Sequence, residues 1–283
     1  MKITKRLFIA NILSAALMVA AGSAAQASTL LEKAKGGETV RIGFATEVPY
    51  AYPGPNNKPL GFVNVVTLDV LKKMGIENVE PVVTEWGGLI PGLNAGRFDI
   101  ITGGMDITGA RCANVAFSEP ISKTSPALLV PKGNPKDLHT YADIKDKGAT
   151  AVTVAGYSMV EQARKVGIPD ANLMQVPSPT EELAALKAGR VDAVIDTNIT
   201  LNHLALQSGG EFEVTDPGLM PKDFQNWTGV AFRKKDKEFL DAFNAELAKY
   251  VGTEEMLKAA EEFEYVKSQL PGDTRTEWIC ANR

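Results

Sequence analysis

The 283-residue chain contains only two cysteines and two histidines. Zinc fingers and cysteine-rich scaffolds need more of these residues, so both are excluded, and a histidine-based metal site is not expected. A basic block is also lacking, and the formal net charge of −4 argues against nucleic acid as the main partner. His139 and His203 stand alone, and no phosphate-binding loop or nucleophile elbow occurs. The sequence therefore predicts no cofactor, no metal and no catalytic residue.

Long apolar segments are scarce, and the one at the N-terminus predicts export. A basic start at residues 2–6 precedes the apolar run 7–21, and residues 25–27 read Ala-Gln-Ala. The run is shorter than the roughly 20 residues that span a bilayer, and the small residues suit a signal peptidase. We therefore predict a cleavable signal peptide at 1–27 and a periplasmic mature chain that starts at Ser28. An uncleaved membrane anchor is the alternative.

Both cysteines, Cys112 and Cys280, belong to the mature chain. An oxidising compartment favours a disulfide between them, which would tie the C-terminal tail to the first half of the chain. Two unpaired thiols are the alternative.

One sequence pattern occurs twice. Residues 93–101 read Leu-Asn-Ala-Gly-Arg-Phe-Asp-Ile-Ile, and residues 186–195 repeat the Leu-x-Ala-Gly-Arg-x-Asp part. Each copy predicts a helix end with glycine in the left-handed conformation, followed by a buried strand. Together with apolar strands at Val40–Phe44 and Ala151–Val154, the repeat predicts two α/β lobes of similar build. Their sheets should be mainly parallel, with ligands at the carboxyl ends of the strands.

Polar and aromatic residues gather at the predicted strand ends. This set suits the binding of a small charged solute better than bond-making chemistry. Its members are Glu47, Tyr50, Trp86, Asp106, Thr108, Arg111, Ser158 and Asp196.

Two short motifs carry a resemblance to a known family. Thr108-Gly-Ala-Arg111 with Phe117-Ser-Glu-Pro120 resembles the Thr-x-x-Arg…Phe-Ser-x-Pro signature of the polar amino acid family of ABC-importer solute-binding proteins. The resemblance extends over essentially the whole mature chain. Within the family, residues 84–117 are most similar to ectoine/hydroxyectoine-binding proteins. The resemblance implies a type II periplasmic binding protein, a Venus flytrap whose two similar α/β lobes are joined by two hinge strands.

This fold implies that the chain crosses between the lobes twice, near residues 127–132 and 228–233. The helices within 237–268 should then return to the first lobe. We expect a signal peptide at 1–27, the first part of lobe 1 at 28–129, lobe 2 at 130–228 and the second part of lobe 1 at 229–283. The implied function is capture of a solute for the membrane permease subunits of an ABC importer, by a monomer that is not an enzyme.

The resemblance also implies roles for the charged residues. Arg111 matches the family arginine that grips the ligand carboxylate, for which bidentate planar donation is well suited. A surface helix arginine is the alternative. Asp196 matches the carboxylate that meets the cationic group of the ligand, and a structural turn residue is the alternative.

The remaining matched positions form walls of the site. Glu47 and Tyr50 supply an acid and an aromatic wall, and Trp86 faces the cation unless it is a plain core residue. Tyr157 and Ser158 lie where the family binds the ligand carboxylate at a helix N-terminus. At Gly104, preceded by Gly103, the chain lacks side chains that many relatives offer.

Asp106 departs from the family pattern, since we expect an aromatic residue there in ectoine binders. If Glu47, Asp106 and Asp196 are all ionised, only Arg111 opposes them, and a buried site tolerates such an excess poorly without a cation. The solute should therefore carry a carboxylate and at least one strongly cationic group. Ectoine, hydroxyectoine, a basic amino acid and an opine all qualify. Alternatively, Asp106 caps the helix that begins near Thr108.

Two other functions remain open. Some members of this fold are periplasmic dehydratases of cyclic carboxylic acids, and Glu47 or Asp196 would then donate the proton. A sensor module is the other alternative. Turnover of a solute by the purified protein would distinguish the enzyme from the binding protein.

Overall fold

The computed structural model describes residues 28–283, so the predicted signal peptide lies outside the described residues. The strands are β1 (Val40–Phe44), β2 (Tyr52–Pro53), β3 (Pro59–Leu60), β4 (Val79–Val83), β5 (Ile100–Ile101), β6 (Ala116–Phe117), β7 (Ser122–Thr124), β8 (Pro126–Pro131), β9 (Ala151–Val154), β10 (Leu173–Val176), β11 (Ala193–Thr197), β12 (Phe212–Val214), β13 (Asn226–Thr228) and β14 (Ala231–Phe232). The helices are α1 (Leu30–Lys35), α2 (Phe62–Lys73), α3 (Leu89–Asn94), α4 (Gly109–Cys112), α5 (Tyr141–Asp146), α6 (Ser158–Val166), α7 (Pro179–Lys187), α8 (Asn198–Gln207), α9 (Lys237–Tyr250), α10 (Glu254–Glu261) and α11 (Thr276–Asn282). In this part of the chain, no helix combines the length and apolar character needed to cross a membrane.

Two five-stranded sheets have the same internal order. The first runs β4-β1-β5-β14-β6 and the second runs β10-β9-β11-β8-β12. In each sheet the first three strands are parallel, and the remaining neighbours pair antiparallel. The sheets are therefore mixed and not mainly parallel, because the fourth strand of each enters directly from the connection between the lobes. Each sheet forms the centre of one α/β lobe, as the repeat predicts.

The two repeat copies fold alike. Gly96 and Gly189 have φ angles of 73° and 64°. Their N–H groups, and those of the following arginines, bond back to carbonyls of the preceding turn in a Schellman motif. The aspartates of the two copies, Asp99 and Asp192, each accept a backbone N–H at the start of the neighbouring strand, at 3.0 and 2.9 Å. The repeat thus ends a helix and joins the next strand to its sheet in both lobes.

The strands β7 and β13 pair antiparallel and carry the chain between the lobes. The sequence pattern places these crossings at 127–132 and 228–233. In the structure those segments contain β8, already in the second sheet, and β14, already in the first. The difference arises because the crossing strands are short and largely polar, whereas the apolar runs that mark the sequence are the interior strands into which they lead.

The C-terminal helices pack on the first lobe. Helices α9 and α10 contact α2, and the buried Phe239 and Phe243 of α9 lie against Phe232 of β14. A disulfide between Cys112 and Cys280, with 5.8 Å between the Cα atoms, joins α4 to α11. The pairing that the sequence favours is therefore present, and the two unpaired thiols are excluded.

Candidate ligand-binding site

A cleft between the lobes lies at the carboxyl ends of β1, β5, β9 and β11, where open α/β sheets bind ligands. It collects nine of the ten site residues that the sequence predicts. The cleft is lined by Glu47, Tyr50, Trp86, Gly103, Gly104, Asp106, Arg111, Tyr157, Ser158, Met159, Asp196, Thr197 and Thr200. Thr108 is the predicted residue that this lining does not include.

A tight loop after β1 presents Glu47 and Tyr50. The backbones of Glu47 and Ala51 exchange two hydrogen bonds of 2.8 Å, which closes the loop between them. The Tyr50 ring then packs against Phe62 with 4.8 Å between centroids. Gly104 faces this ring with a φ of 77°, and a Cβ atom there would lie only 2.6 Å from the ring. Glycine is therefore the residue that this position accepts.

Hydrogen bonds from both lobes hold the cleft closed. They run from the Tyr50 hydroxyl to Thr197 Oγ1 (3.0 Å), from Trp86 Nε1 to the Gly156 carbonyl (3.3 Å), from the Ser158 hydroxyl to Asp106 Oδ2 (2.6 Å) and from the Tyr157 hydroxyl to the Glu47 carboxylate. The remaining cavity is about 20 Å³, which is space for a water molecule and not for an amino-acid-sized solute. A solute must therefore displace these side chains or enter while the lobes are apart.

Arg111 joins the two sides of the cleft. Its guanidinium donates to the Asp106 carbonyl at 2.8 Å in its own lobe and to the Gly156 carbonyl at 3.0 Å in the other lobe. The Cζ atom lies 5.5 Å from the centroid of the Trp86 ring, which is cation–π range. Arg111 is therefore a cleft residue and not a free surface arginine, and its planar fork is held beside an aromatic wall.

Trp86 and Tyr157 form this aromatic wall from opposite lobes. Their rings meet edge to face, with 4.7 Å between centroids and 65° between planes. Trp86 is buried, as a core tryptophan would be, yet it lines the cleft. The same ring thus packs the interface between the lobes and offers a surface to a solute.

Thr108, and not Asp106, caps helix α4. The Thr108 hydroxyl accepts the backbone N–H of Arg111 at 3.3 Å. The backbone of Asp106 instead pairs with Thr228 of the crossing strand β13, and its side chain lines the cleft. The capping alternative for Asp106 is therefore wrong, and the hydroxyl of Thr108 is committed to the helix.

Four carboxyl groups are buried in or behind the cleft. The exposed fractions of Glu47, Asp106 and Asp196 are 5, 8 and 1%. The fourth, Glu182 of α7, is fully buried and lies beside Asp196. The sequence pattern does not distinguish Glu182, because it follows Glu181 at the start of a helix, where acids ordinarily face solvent. Met159, Thr197 and Thr200 are likewise not predicted, since their positions are typical of ordinary helix-forming or helix-capping residues.

Burial changes the charge expected of this cluster. It raises the pKa of Glu47 and of Glu182 well above the usual range, and that of Asp106 to a smaller extent. Burial likewise raises the pKa of Asp196 to about 7. The excess of negative charge that would follow if Glu47, Asp106 and Asp196 were all ionised is therefore reduced in the closed cleft, because burial favours the protonated form of a carboxyl group. The cluster nevertheless supplies acceptors for a cation, opposite the donors of Arg111.

Comparisons with known proteins agree with this architecture. Residues 40–264 match the family described as bacterial extracellular solute-binding proteins, family 3. A probable amino-acid ABC transporter periplasmic-binding protein of Sinorhizobium fredii is 33% identical over 282 residues, which cover 97% of this chain and 93% of the relative.

Two solved structures have the same fold. The crystal structure of EhuB in complex with hydroxyectoine superposes with a TM-score of 0.81 at 32% identity, and covers 90% of this chain and 98% of that one. The ancestral amino acid-binding protein AncCDT-1, described as a precursor of cyclohexadienyl dehydratase, has a TM-score of 0.71 at 27% identity, with 82% and 97% covered. The family match over most of the sequence, the two-lobed fold and the enclosed cleft show that this chain belongs to the bacterial extracellular solute-binding proteins of family 3.

Proposed function

We propose that this protein captures a small solute with one carboxylate and at least one cationic group, and delivers it to the permease of an ABC importer. The observation that carries this proposal is the shared enclosure of Arg111 and the buried carboxyl group of Asp196 in one cleft between the lobes. In the closed cleft, a strong hydrogen-bond donor and a strong hydrogen-bond acceptor face the same small cavity. A solute with both charges can pair with each of them.

The carboxylate of the solute would bind to Arg111. Both guanidinium bonds now go to backbone carbonyls, which are neutral acceptors. Charge-assisted bonds to a carboxylate are stronger than bonds to neutral acceptors, so a carboxylate would compete well for the same N–H groups. Ser158 begins helix α6, and its N-terminal position would add to the attraction for a negative charge.

The cationic group would lie among the acids and the aromatic rings. Asp196 and Asp106 favour a cation that donates hydrogen bonds, whereas the faces of Trp86 and Tyr50 favour a diffuse cation. Ectoine, hydroxyectoine and the basic amino acids meet these requirements in different proportions. The likeness to EhuB and to amino-acid-binding relatives supports the same group of solutes.

Location and assembly follow from the same proposal. We propose that residues 1–27 are removed on export and that the mature monomer acts in the periplasm, as the name of the Sinorhizobium relative states for that protein. Cleavage would be tested by N-terminal sequencing of the protein recovered from the periplasm.

A thermal-shift screen followed by calorimetry tests the proposal. The panel comprises ectoine, hydroxyectoine, L-arginine, L-lysine and an opine, with propionate as a small carboxylate that lacks any cationic group. A ligand present at a thousand times its Kd stabilises the folded protein by about 4 kcal/mol. Incubation of each binder with the protein, followed by mass spectrometry of the solute, tests the dehydratase alternative: unchanged solute supports binding alone.

A further inference from the structure

Glu182 is a fully buried acid that none of the roles above uses. It lies in the first turn of α7 and is 0% exposed. Neither of its carboxyl oxygens has a partner with full hydrogen-bond geometry, although the backbone N–H of Val154 lies near. Asp196 Oδ2 also lacks a partner. The other oxygen of Asp196 accepts the backbone N–H of Thr197. Three buried carboxyl oxygens are thus unsatisfied at one place behind the cleft.

Glu182 of α7 lies beside Asp196 of β11, since these two elements pack against each other. Two ionised carboxylates only repel and can donate nothing, so they cannot satisfy one another. Two carboxyl groups sharing a buried site ordinarily hold a proton between them. With one proton, an O–H of one group donates to an oxygen of the other, and the unsatisfied oxygens gain a partner.

The surroundings of the pair offer no positive charge that would neutralise the two carboxyl groups in place of the proton. The neighbouring charged groups that shift the pKa of Glu182 and Asp196 are the acids Glu47 and Asp106. The charge of Asp196 in turn raises the pKa of three nearby tyrosines, Tyr50, Tyr141 and Tyr157. Arg111 acts on Asp106. Among residues 28–283, no cationic side chain shifts the pKa of either member of this pair. A proton is therefore what neutralises it.

We propose that Glu182 is a buried partner of Asp196 in cation recognition: the two carboxyl groups hold one proton between them, and the cationic group of a bound solute replaces that proton. Glu182 does not line the cleft, so it is a positioning residue that acts through Asp196. The proton leaves to solvent, and the pair changes from one negative charge to two as the cation arrives. The exchange rests on the proposed function, but the shared proton itself belongs to the ligand-free protein.

Carboxyl NMR of the ligand-free protein, labelled with ¹³C at Asp and Glu side chains, tests the shared proton without any solute. We expect two coupled carboxyl signals, one of which titrates near pH 7 and the other above its ordinary range. Asp196→Asn assigns the pair and should lower the titration of Glu182, because the Asp196 carboxylate is one cause of the raised pKa of Glu182. Glu182→Gln keeps the shape of the side chain and should leave Asp196 titrating above its ordinary range of about 4, since burial is the main cause of its raised pKa.

Glu181→Gln is the matched control, since Glu181 is the neighbouring acid on the same helix and is exposed. It should leave the titrations of both carboxyl groups unchanged. The shared proton is ruled out if Glu182 titrates in the ordinary range, or if Asp196→Asn leaves the Glu182 titration where it is in wild type. A folded spectrum for each variant shows that the comparison concerns intact protein.

Calorimetry with L-arginine and hydroxyectoine in phosphate and Tris buffers then tests the exchange. In wild-type protein above pH 7, where Asp196 is ionised and one proton remains on the pair, binding should release up to one proton, and Kd should fall up to tenfold per pH unit between pH 7 and 8. Glu182→Gln should remove most of this dependence, and Glu181→Gln should not. Binding without proton release would overturn the exchange. Failure of every zwitterion to bind, with the NMR titrations as expected, would instead refute the proposed function and leave the shared proton intact.

Discussion

The hydroxyl of Ser158 in the second lobe donates a 2.6 Å hydrogen bond to Oδ2 of Asp106 in the first lobe. The backbone of Asp106 in turn pairs with Thr228 of the crossing strand β13. One residue thus links the closed cleft to a strand that connects the two lobes. Displacement of the Ser158 hydroxyl by a solute would act directly on this connection, so binding and closure share a structural element.

Asp106 should set the choice of cation. In Asp106→Asn the charge is lost at nearly constant shape, and in Asp106→Phe an aromatic face replaces it. We expect both variants to lose affinity for L-arginine, because a charge-assisted hydrogen bond is worth about 1.5–3 kcal/mol. Asp106→Phe should retain or gain affinity for hydroxyectoine, since each cation–π contact contributes about 0.5–2 kcal/mol. Calorimetry with both solutes measures the affinity ratio, and a constant ratio with a lowered Tm would assign Asp106 a purely structural role.

Arg111→Ala should weaken binding about a hundredfold or more while the fold persists. Removal of the partner of a buried ligand carboxylate costs about 2–5 kcal/mol. Arg97→Ala is the matched control, because Arg97 is an exposed arginine of the same lobe. Calorimetric titration of both variants decides the matter. Equal affinity of Arg111→Ala and Arg97→Ala would place the ligand carboxylate elsewhere.

The free energy of unfolding of the ligand-free protein should depend on pH through the ionisation of Asp196. Burial raises the pKa of this carboxyl to about 7 in the folded state, against about 3.9 in an unfolded chain. A raised pKa means that the folded state binds more protons, so the contribution of Asp196 to the free energy of unfolding is full below pH 4 and is lost as pH rises through 7.

The measurement is the difference in the free energy of unfolding between wild type and Asp196→Asn, by urea denaturation at several pH values. Wild type should lose stability relative to the variant by a few kcal/mol between pH 4 and pH 8, at about 1.4 kcal/mol per unit of pKa difference. The subtraction cancels the surface acids whose pKa is lowered, Asp143 and Asp192 among them. A difference independent of pH would show that Asp196 has an ordinary pKa.

The Cys112–Cys280 disulfide should stabilise the protein by about 2–4 kcal/mol. It closes a loop over a sequence separation of 168 residues, which constrains the unfolded chain. Cys112→Ser/Cys280→Ser should therefore lower the free energy of unfolding and leave solute affinity unchanged, because neither cysteine lines the cleft. Alkylation of the periplasmic protein under non-reducing conditions should label neither cysteine in wild type. Labelling of both would contradict the bond in the exported protein.

Local patterns explain how much of the fold the sequence predicts. The helix ends at Gly96 and Gly189 are determined by glycine in a left-handed conformation, which is a property of a few neighbouring residues. The strand Val40–Phe44 is likewise found where its apolar run predicts it. The start of α7 lies earlier than a capping threonine at Thr180 would place it, because Pro179 occupies the first helical turn after Ser178.

Long-range packing accounts for what the sequence does not predict. The Ser122–Thr124 crossing strand is short and contains no apolar residue, so its pairing with β13 depends on both lobes being in place. Glu182 is buried only because α7 lies against the second sheet, and nothing near it in the chain distinguishes it from Glu181. The polar residues of the cleft were found because strand ends can be located from sequence and their side chains then meet at the sheet edges.

Calorimetric titration with solutes that differ by one charged group tests the central claim most directly. L-Arginine and hydroxyectoine are each compared with a derivative that lacks the carboxylate. Each is also compared with a derivative that lacks one cationic group, which is the guanidinium in L-arginine and the amidinium in hydroxyectoine. We predict that at least one parent solute binds with one-to-one stoichiometry and a Kd of about 1 µM or lower, and that loss of either charged group weakens binding at least a hundredfold. Binding that survives removal of the carboxylate or of the cation, or no binding of either parent, would contradict a cleft built for a solute that carries both.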